Sequence, residues 1–244
     1  MLSGKFFFTT VVLKRAGGRT FSPAFPQCGL MSARYNSTLS LHSVTDSVPD
    51  KYAKALEKAG EAFKEAESIF NDPAYCKHQG WKKDTTNDWG DAVYAKQTEK
   101  GKMVAISTDI EGDPEFVMKD NVLVSGRESG NYGKDGNVLV SGRDFVTARI
   151  YRKIKDGYIM ASKSVEVAEH PKPKDMERAE LHLAAARLVP HPKRQGYSQC
   201  DVVMLTDLKG MLPKMIVNKA LGKMMLRDAE ENQTHFHDLK QKNA

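Results

Sequence analysis

The chain has 244 residues, 40% of them apolar, a formal net charge of +6 and three cysteines. That is enough apolar material for one sizeable core, so a single domain behind any leader is the default. Five positive charges, Lys5, Lys14, Arg15, Arg19 and Arg34, precede the first acid, Asp46, which leaves the remainder near neutral with no nucleic-acid footprint; Cys28, Cys76 and Cys200 are too scattered for a disulfide framework or a zinc site and fit reduced thiols.

Residues 1–45 are basic, rich in Ser and Thr, free of acids and punctuated by Gly17, Gly18, Pro23 and Pro26. This is the composition of a mitochondrial transit peptide, and residues 46–244 form the domain that follows it. Phe6 to Phe8 and Val11 to Leu13 leave a secretory signal peptide as the alternative. No apolar run has the length of a membrane span, since Thr9 and Thr10 interrupt this one and Lys14 ends it. A soluble monomer is the expectation.

Ser47 and Asp50 resemble a capping box, and Tyr52, Leu56, Ala59, Phe63, Ala66 and Phe70 then recur at alternating steps of four and three. An amphipathic helix follows from that spacing. Residues 71–102 hold Trp81 and Trp89 among glycines and mixed charges; Trp81 is either an interfacial anchor or an aromatic packed at a domain edge. Met103 to Thr108 alternates and is read as the beginning of the sheet. Asn121 to Arg127 is then repeated letter for letter as Asn137 to Arg143.

Period-two patterning bounded by turn residues predicts strands over Phe145–Ile154, Tyr158–Val167, Glu180–Val189 and Ser198–Thr206. After Gly210 and Pro213, apolar residues at Leu212, Ile216, Ala220, Leu221, Met224, Met225, Ala229, Phe236 and Leu239 predict a long final helix. Strands with one apolar face each must cover it, most simply by wrapping that helix.

The block Gly142-Arg143-Asp144-Phe145-Val146-Thr147-Ala148-Arg149, with Gly157, Pro171, Arg178-Ala179-Glu180, Pro190-His191-Pro192 and the run from Asp207 to Leu221, resembles the START lipid-transfer family. Within it the match is closest to the steroidogenic acute regulatory protein subgroup. Weaker agreement runs upstream through Gly80-Trp81-Lys82-Lys83 and Gly90-Asp91. The resemblance implies an α+β helix-grip fold, a curved antiparallel sheet wrapped on a long C-terminal helix. It also implies non-enzymatic binding and transfer of a cholesterol-like sterol or related lipid, with delivery to mitochondria. Against the family this chain is shorter by about forty residues between the first strand and Gly142, so the domain is incomplete around residues 110–140. The missing part would supply one cavity wall and an acid opposite Arg149; no residue of this chain occupies that acidic position, and Glu128 lies nearby. A START-derived interaction module that has lost part of its cavity is therefore the alternative function.

Arg149 shares a strand face with Phe145, Thr147 and Tyr151. An inward guanidinium needs a polar partner: by resemblance it orients the hydroxyl of a lipid, directly or through water, and alternatively it faces solvent or pairs with Asp144 or Glu180. Met204, Met215 and Met225, with Leu221, suit either an irregular ligand surface or ordinary core. The resemblance puts Lys193 and Arg194 at the cavity mouth, against anionic headgroups of a mitochondrial membrane; a solvated loop is the other reading. No motif for hydrolysis, phosphate binding or metal-dependent proteolysis is present, and His235 and His237 diverge on a helix, so neither enzyme activity, a metal nor a cofactor is expected.

Overall fold

The computed structural model describes residues 6–12, 52–118, 142–174, 176–210 and 214–243. The first helix, α1 (Ala53–Asn71), buries Ala55, Ala59, Ala62, Phe63, Ala66 and Phe70. Four of these six are alanines, so the helix backbone can approach a sheet closely while the two phenylalanines fill the flanks. Tyr52 occupies the N-cap, and its side chain does not cap the helix; the proposed capping box lies outside the described residues. A short helix, α2 (Pro73–Cys76), follows directly; the Ala74 amide donates to Asp72 Oδ1 at 2.8 Å and Pro73 sits where no amide is needed.

Among the described residues nine strands make one sheet, with the path β1 (Phe6–Val12), β5 (Gly142–Ile154), β6 (Gly157–Ser164), β8 (Glu180–Pro190), β9 (Tyr197–Asp207), β4 (Gly101–Glu111), β3 (Ala92–Thr98), β2 (Lys82–Thr86). β7 (Met176–Arg178) pairs with the start of β5. All ladders are antiparallel except those of β1 and β7, both parallel to β5. The four strands expected between Phe145 and Thr206 are β5, β6, β8 and β9.

The sheet does not begin at Met103. A hairpin of β2 and β3 precedes it, and its first strand, Lys-Lys-Asp-Thr-Thr, is almost wholly exposed. An edge strand with no buried face carries no alternation to read.

The curled sheet has two unlike faces. Met103, Ala105, Ala148, Ile150, Ile159, Ala161, Leu183, Ala185, Val203 and Leu205 point outward and close against α1. The last helix, α3 (Lys214–Asn243), crosses the inner face and rests Leu221, Met225, Leu226 and Ala229 on Val93, Val104 and Ile106 of β3 and β4.

Polar staples fix both helices. Arg187 on β8 holds Asp201 on β9 through Nε at 3.0 Å and Nη2 at 2.6 Å, and its Nη1 donates to the Phe70 carbonyl at 2.7 Å near the end of α1. On the other face Lys102 Nζ donates to Asp84 Oδ1 and to the Asn218 carbonyl of α3, both at 2.6 Å. Gly222 lets α3 come this close: a Cβ there would collide with the Asp84 carboxylate.

Candidate lipid-binding site

The motifs that carry the family resemblance meet in space at the entry to α3. Arg143 of the first block donates from Nε to the Leu208 carbonyl and from Nη2 to the Lys209 carbonyl, each at 3.1 Å. Asp144 accepts from Arg178 at 2.8 Å. Lys209 bridges Glu180 at 2.8 Å and Asp207 at 2.9 Å, and its ammonium holds the Glu180 carboxyl below the usual carboxylate range. His182 completes a cluster with Glu180 and Asp207, but the Lys209 ammonium already supplies that cluster's positive charge. Beneath these charges Phe145, Ala179, Leu181 and Leu208 form a closed apolar knot with Ala184, Met204 and Val217. Both acids that the sequence offered as alternative partners of Arg149 are thus engaged elsewhere.

Beyond the knot the inner face opens. The outward apolar residues of β5, β6, β8 and β9 named above are 4% exposed or less. Their inward neighbours Arg149, Tyr151, Met160, Ala184, Ala186, Val202 and Met204 are only half-buried. Consecutive residues of the same strands therefore face a closed layer on one side and a less completely covered one on the other. Ala184 and Ala186 sit opposite Met204 and Val202 in register, and their small side chains widen the gap. At the far end Phe236 closes it, packed with Ile110, Leu188 and Cys200 and bordered by Tyr151, Tyr158 and Leu239.

Arg149 is the polar feature of this face. It stands directly across from Ser162 on β6 and donates from Nε to Ser162 Oγ at 2.9 Å. Burial pulls its pKa down to about 10, which still leaves it charged at neutral pH. The strand period revealed Arg149; Ser162 becomes visible only once the β5–β6 register is known.

The other expected site residues divide. Met204 lines the half-open face, whereas Phe145 and Thr147 are fully buried beside the knot. Leu221 and Met225 are spent on the β3–β4 contact, and the side chain of Met215 lies outside the described residues, as does Glu128. Arg194 is committed to Asp109 at 3.0 Å and stacks on Tyr197 at 3.5 Å. His191 shapes that loop by accepting the Lys193 and Arg194 amides at Nδ1, at 3.1 and 2.8 Å. The proton is thereby assigned to Nε2, which faces Asp109 at 3.3 Å. The Lys193 ammonium is exposed and has no ion pair among the described residues. Trp81 packs on α1's cluster, edge-on to Tyr75, so the domain-edge reading holds for it; Trp89, 70% exposed, is the outlying aromatic. Cys200 is buried, and its thiol is pushed up to about 12, which leaves it an unreactive apolar group.

The START domain model matches residues 131–242. The chain is 45% identical to steroidogenic acute regulatory-like protein 1 of Caenorhabditis elegans, over 87% of this chain and 92% of that one. It is 27% identical to the human mitochondrial steroidogenic acute regulatory protein, over 71% of this chain and 67% of the other. Among solved structures, human StAR-related lipid transfer protein 5 superposes with a TM-score of 0.56 at 18% identity, covering 76% of this chain and 99% of that one. Human STARD10 does so with 0.55 at 16% identity, covering 80% and 84%. With the grip of a curled sheet on a C-terminal helix and a relative nearly half identical along almost its whole length, the chain belongs to the START family of lipid-transfer domains, on its steroidogenic acute regulatory side.

Proposed function

We propose that the protein binds one sterol or related lipid between the sheet and α3 and carries it, without covalent chemistry, to mitochondria. The observation that carries this reading is the inner face itself: apolar, incompletely filled, and furnished with the Arg149–Ser162 pair. An apolar body gains about 25 cal/mol for each Å² it withdraws from water, and one charge-assisted contact sets its direction. The basic, acid-free leader and the mitochondrial proteins among the relatives support the destination.

Transfer of a fluorescent sterol between vesicles by the full chain tests the proposal. Wild type accelerates transfer, and Ala186→Phe, which fills the gap from β8, stays folded and loses at least about tenfold in binding. A folded wild type that neither binds nor transfers sterol overturns the reading. It would favour instead a START-derived interaction module, for which the short connection between β4 and β5, residues 112–141, already speaks. The destination is tested separately: residues 1–45 fused to a fluorescent protein direct it to mitochondria, and a diffuse signal removes that part of the proposal.

A further inference from the structure

The hairpin of β2 and β3 carries an aromatic side chain that the packing of the domain does not use. Trp89 stands in the turn between the two strands and is 70% exposed, the one large apolar side chain so placed among the described residues. The turn is built on Asn87. Its Oδ1 accepts the Trp89 amide at 3.2 Å and the Asp91 amide at 2.8 Å, and Gly90 supplies the φ of +95° that the loop needs. Asn87 Nδ2 donates to Asp91 Oδ2 at 3.2 Å and, across to α3, to Glu230 Oε1 at 3.0 Å. The tip is thus fixed within itself and to the helix. An indole held in water by an already ordered loop gives up little conformational entropy when a partner covers it.

Beside the indole, hairpin and helix form an open groove of about 440 Å³. Two contacts give its direction. Asp84 and Thr85 lie against Gly222, and Asn87 meets Glu230, eight residues or about 12 Å further along α3. One end of the groove therefore has Thr85, Thr86 and Lys223, whose exposed ammonium has no ion pair among the described residues. The other has Trp89, Asp88 and Glu230. Arg227 stands between them, with Nε donating to Glu231 Oε1 at 2.7 Å. Two positive and two negative side chains line the groove, so it is a dipole rather than a patch of one sign.

That arrangement selects among partners. A nucleic acid or a strongly anionic surface is attracted to one end and repelled by the other. A protein that adds a strand is deterred at β2, the sheet edge, which carries Lys82, Lys83 and Asp84 and a register shift between Lys83 and Thr85. A zwitterion satisfies both ends. A quaternary ammonium is the cation that an open indole attracts, and an indole sits best at the headgroup level of a bilayer.

We propose that the β2–β3 tip and its groove dock the protein on a bilayer of zwitterionic phospholipid. The headgroup phosphate lies against Lys223 and the hydroxyls of Thr85 and Thr86, its trimethylammonium lies over Trp89 beside Asp88 and Glu230, and the indole enters the interface. The site shares no residue with the inner face around Arg149, so it goes beyond the carrier reading and stands apart from it.

Cosedimentation of the full chain with sterol-free vesicles tests this, comparing phosphatidylcholine with phosphatidylglycerol, whose headgroup keeps the phosphate and lacks the cation. Wild type binds the phosphatidylcholine vesicles more tightly. Trp89→Ala, confirmed folded by circular dichroism, loses about tenfold, and Trp89→Phe, which keeps a ring, retains part of the binding. Bromine-labelled phosphatidylcholine quenches the tryptophan fluorescence of wild type and leaves that of Trp89→Phe, which reports Trp81 alone, unchanged. Equal sedimentation of wild type and Trp89→Ala, or tighter binding to phosphatidylglycerol, overturns the proposal. So does a folded wild type that binds neither vesicle, which leaves the tip to a protein partner. Sterol binding measured without vesicles is the same in wild type and Trp89→Ala; its absence from both overturns the carrier reading alone.

Discussion

The Asp228 carboxyl on α3 carries a stability signature. Its folded-state pKa, about 6, is raised above the ordinary 3.8 by burial, ahead of repulsion from Glu231, so the folded chain binds the proton more tightly than the unfolded one does. Ionisation therefore costs the fold nothing below about pH 4, a growing amount between about pH 4 and pH 6, and its full penalty above that. Asp228→Asn is expected to be more stable than wild type at neutral pH by about 1 kcal/mol, discounted from the full shift because the carboxyl still reaches water, and no more stable at about pH 3.5. Urea unfolding at the two pH values checks this, and equal stability at both would mean an ordinary hydrated carboxylate. The sequence does not betray the raised pKa, because an aspartate on a long charged helix reads as solvated surface. Arg149 was legible from strand alternation, whereas its partner Ser162 depends on a cross-strand register that no local pattern encodes.

Element by element, legibility followed burial. Helix α1 and strands β5, β6, β8 and β9 each press one face into a core and so carry a clear period; β2 presses none and was invisible. The conspicuous motifs were legible as important but not as to role: Arg143, Asp144, Arg178 and Lys209 clamp the entry of α3 rather than touch the gap. Two glycines in helices make the same contrast between local propensity and packing. At Gly60 in α1 a Cβ meets nothing within 4 Å, so Gly60→Ala should gain about 1 kcal/mol through helix propensity. At Gly222 the same propensity gain is outweighed. The added methyl displaces Asp84 and deprives the buried Lys102 ammonium of its carboxylate, an overpacking and unpairing cost of about 1–3 kcal/mol or more. Thermal melts of the two variants should move in opposite directions, and a stabilised Gly222→Ala would show that α3 stands off the hairpin.

At the scale of the whole molecule the helix-grip architecture was readable from the order of its periods, while the β2–β3 hairpin and the parallel β1 and β7 were not, since parallel partners far apart in the chain leave no joint signature. What the order of elements does not reveal is the inequality of the two sheet faces, a closed layer under α1 and a less completely covered one under α3. On the carrier reading that inequality has a volumetric meaning: unfolding abolishes the space kept for the cargo, so the empty protein should shrink markedly in solution when it unfolds, and hydrostatic pressure should unfold it readily. A lipid that occupies the vacancy removes most of that contraction and adds its binding energy besides. Loaded with sterol, the chain should resist pressure far better than its gain in melting temperature alone would imply, and the midpoint of pressure unfolding becomes a gauge of how much of the space the cargo fills.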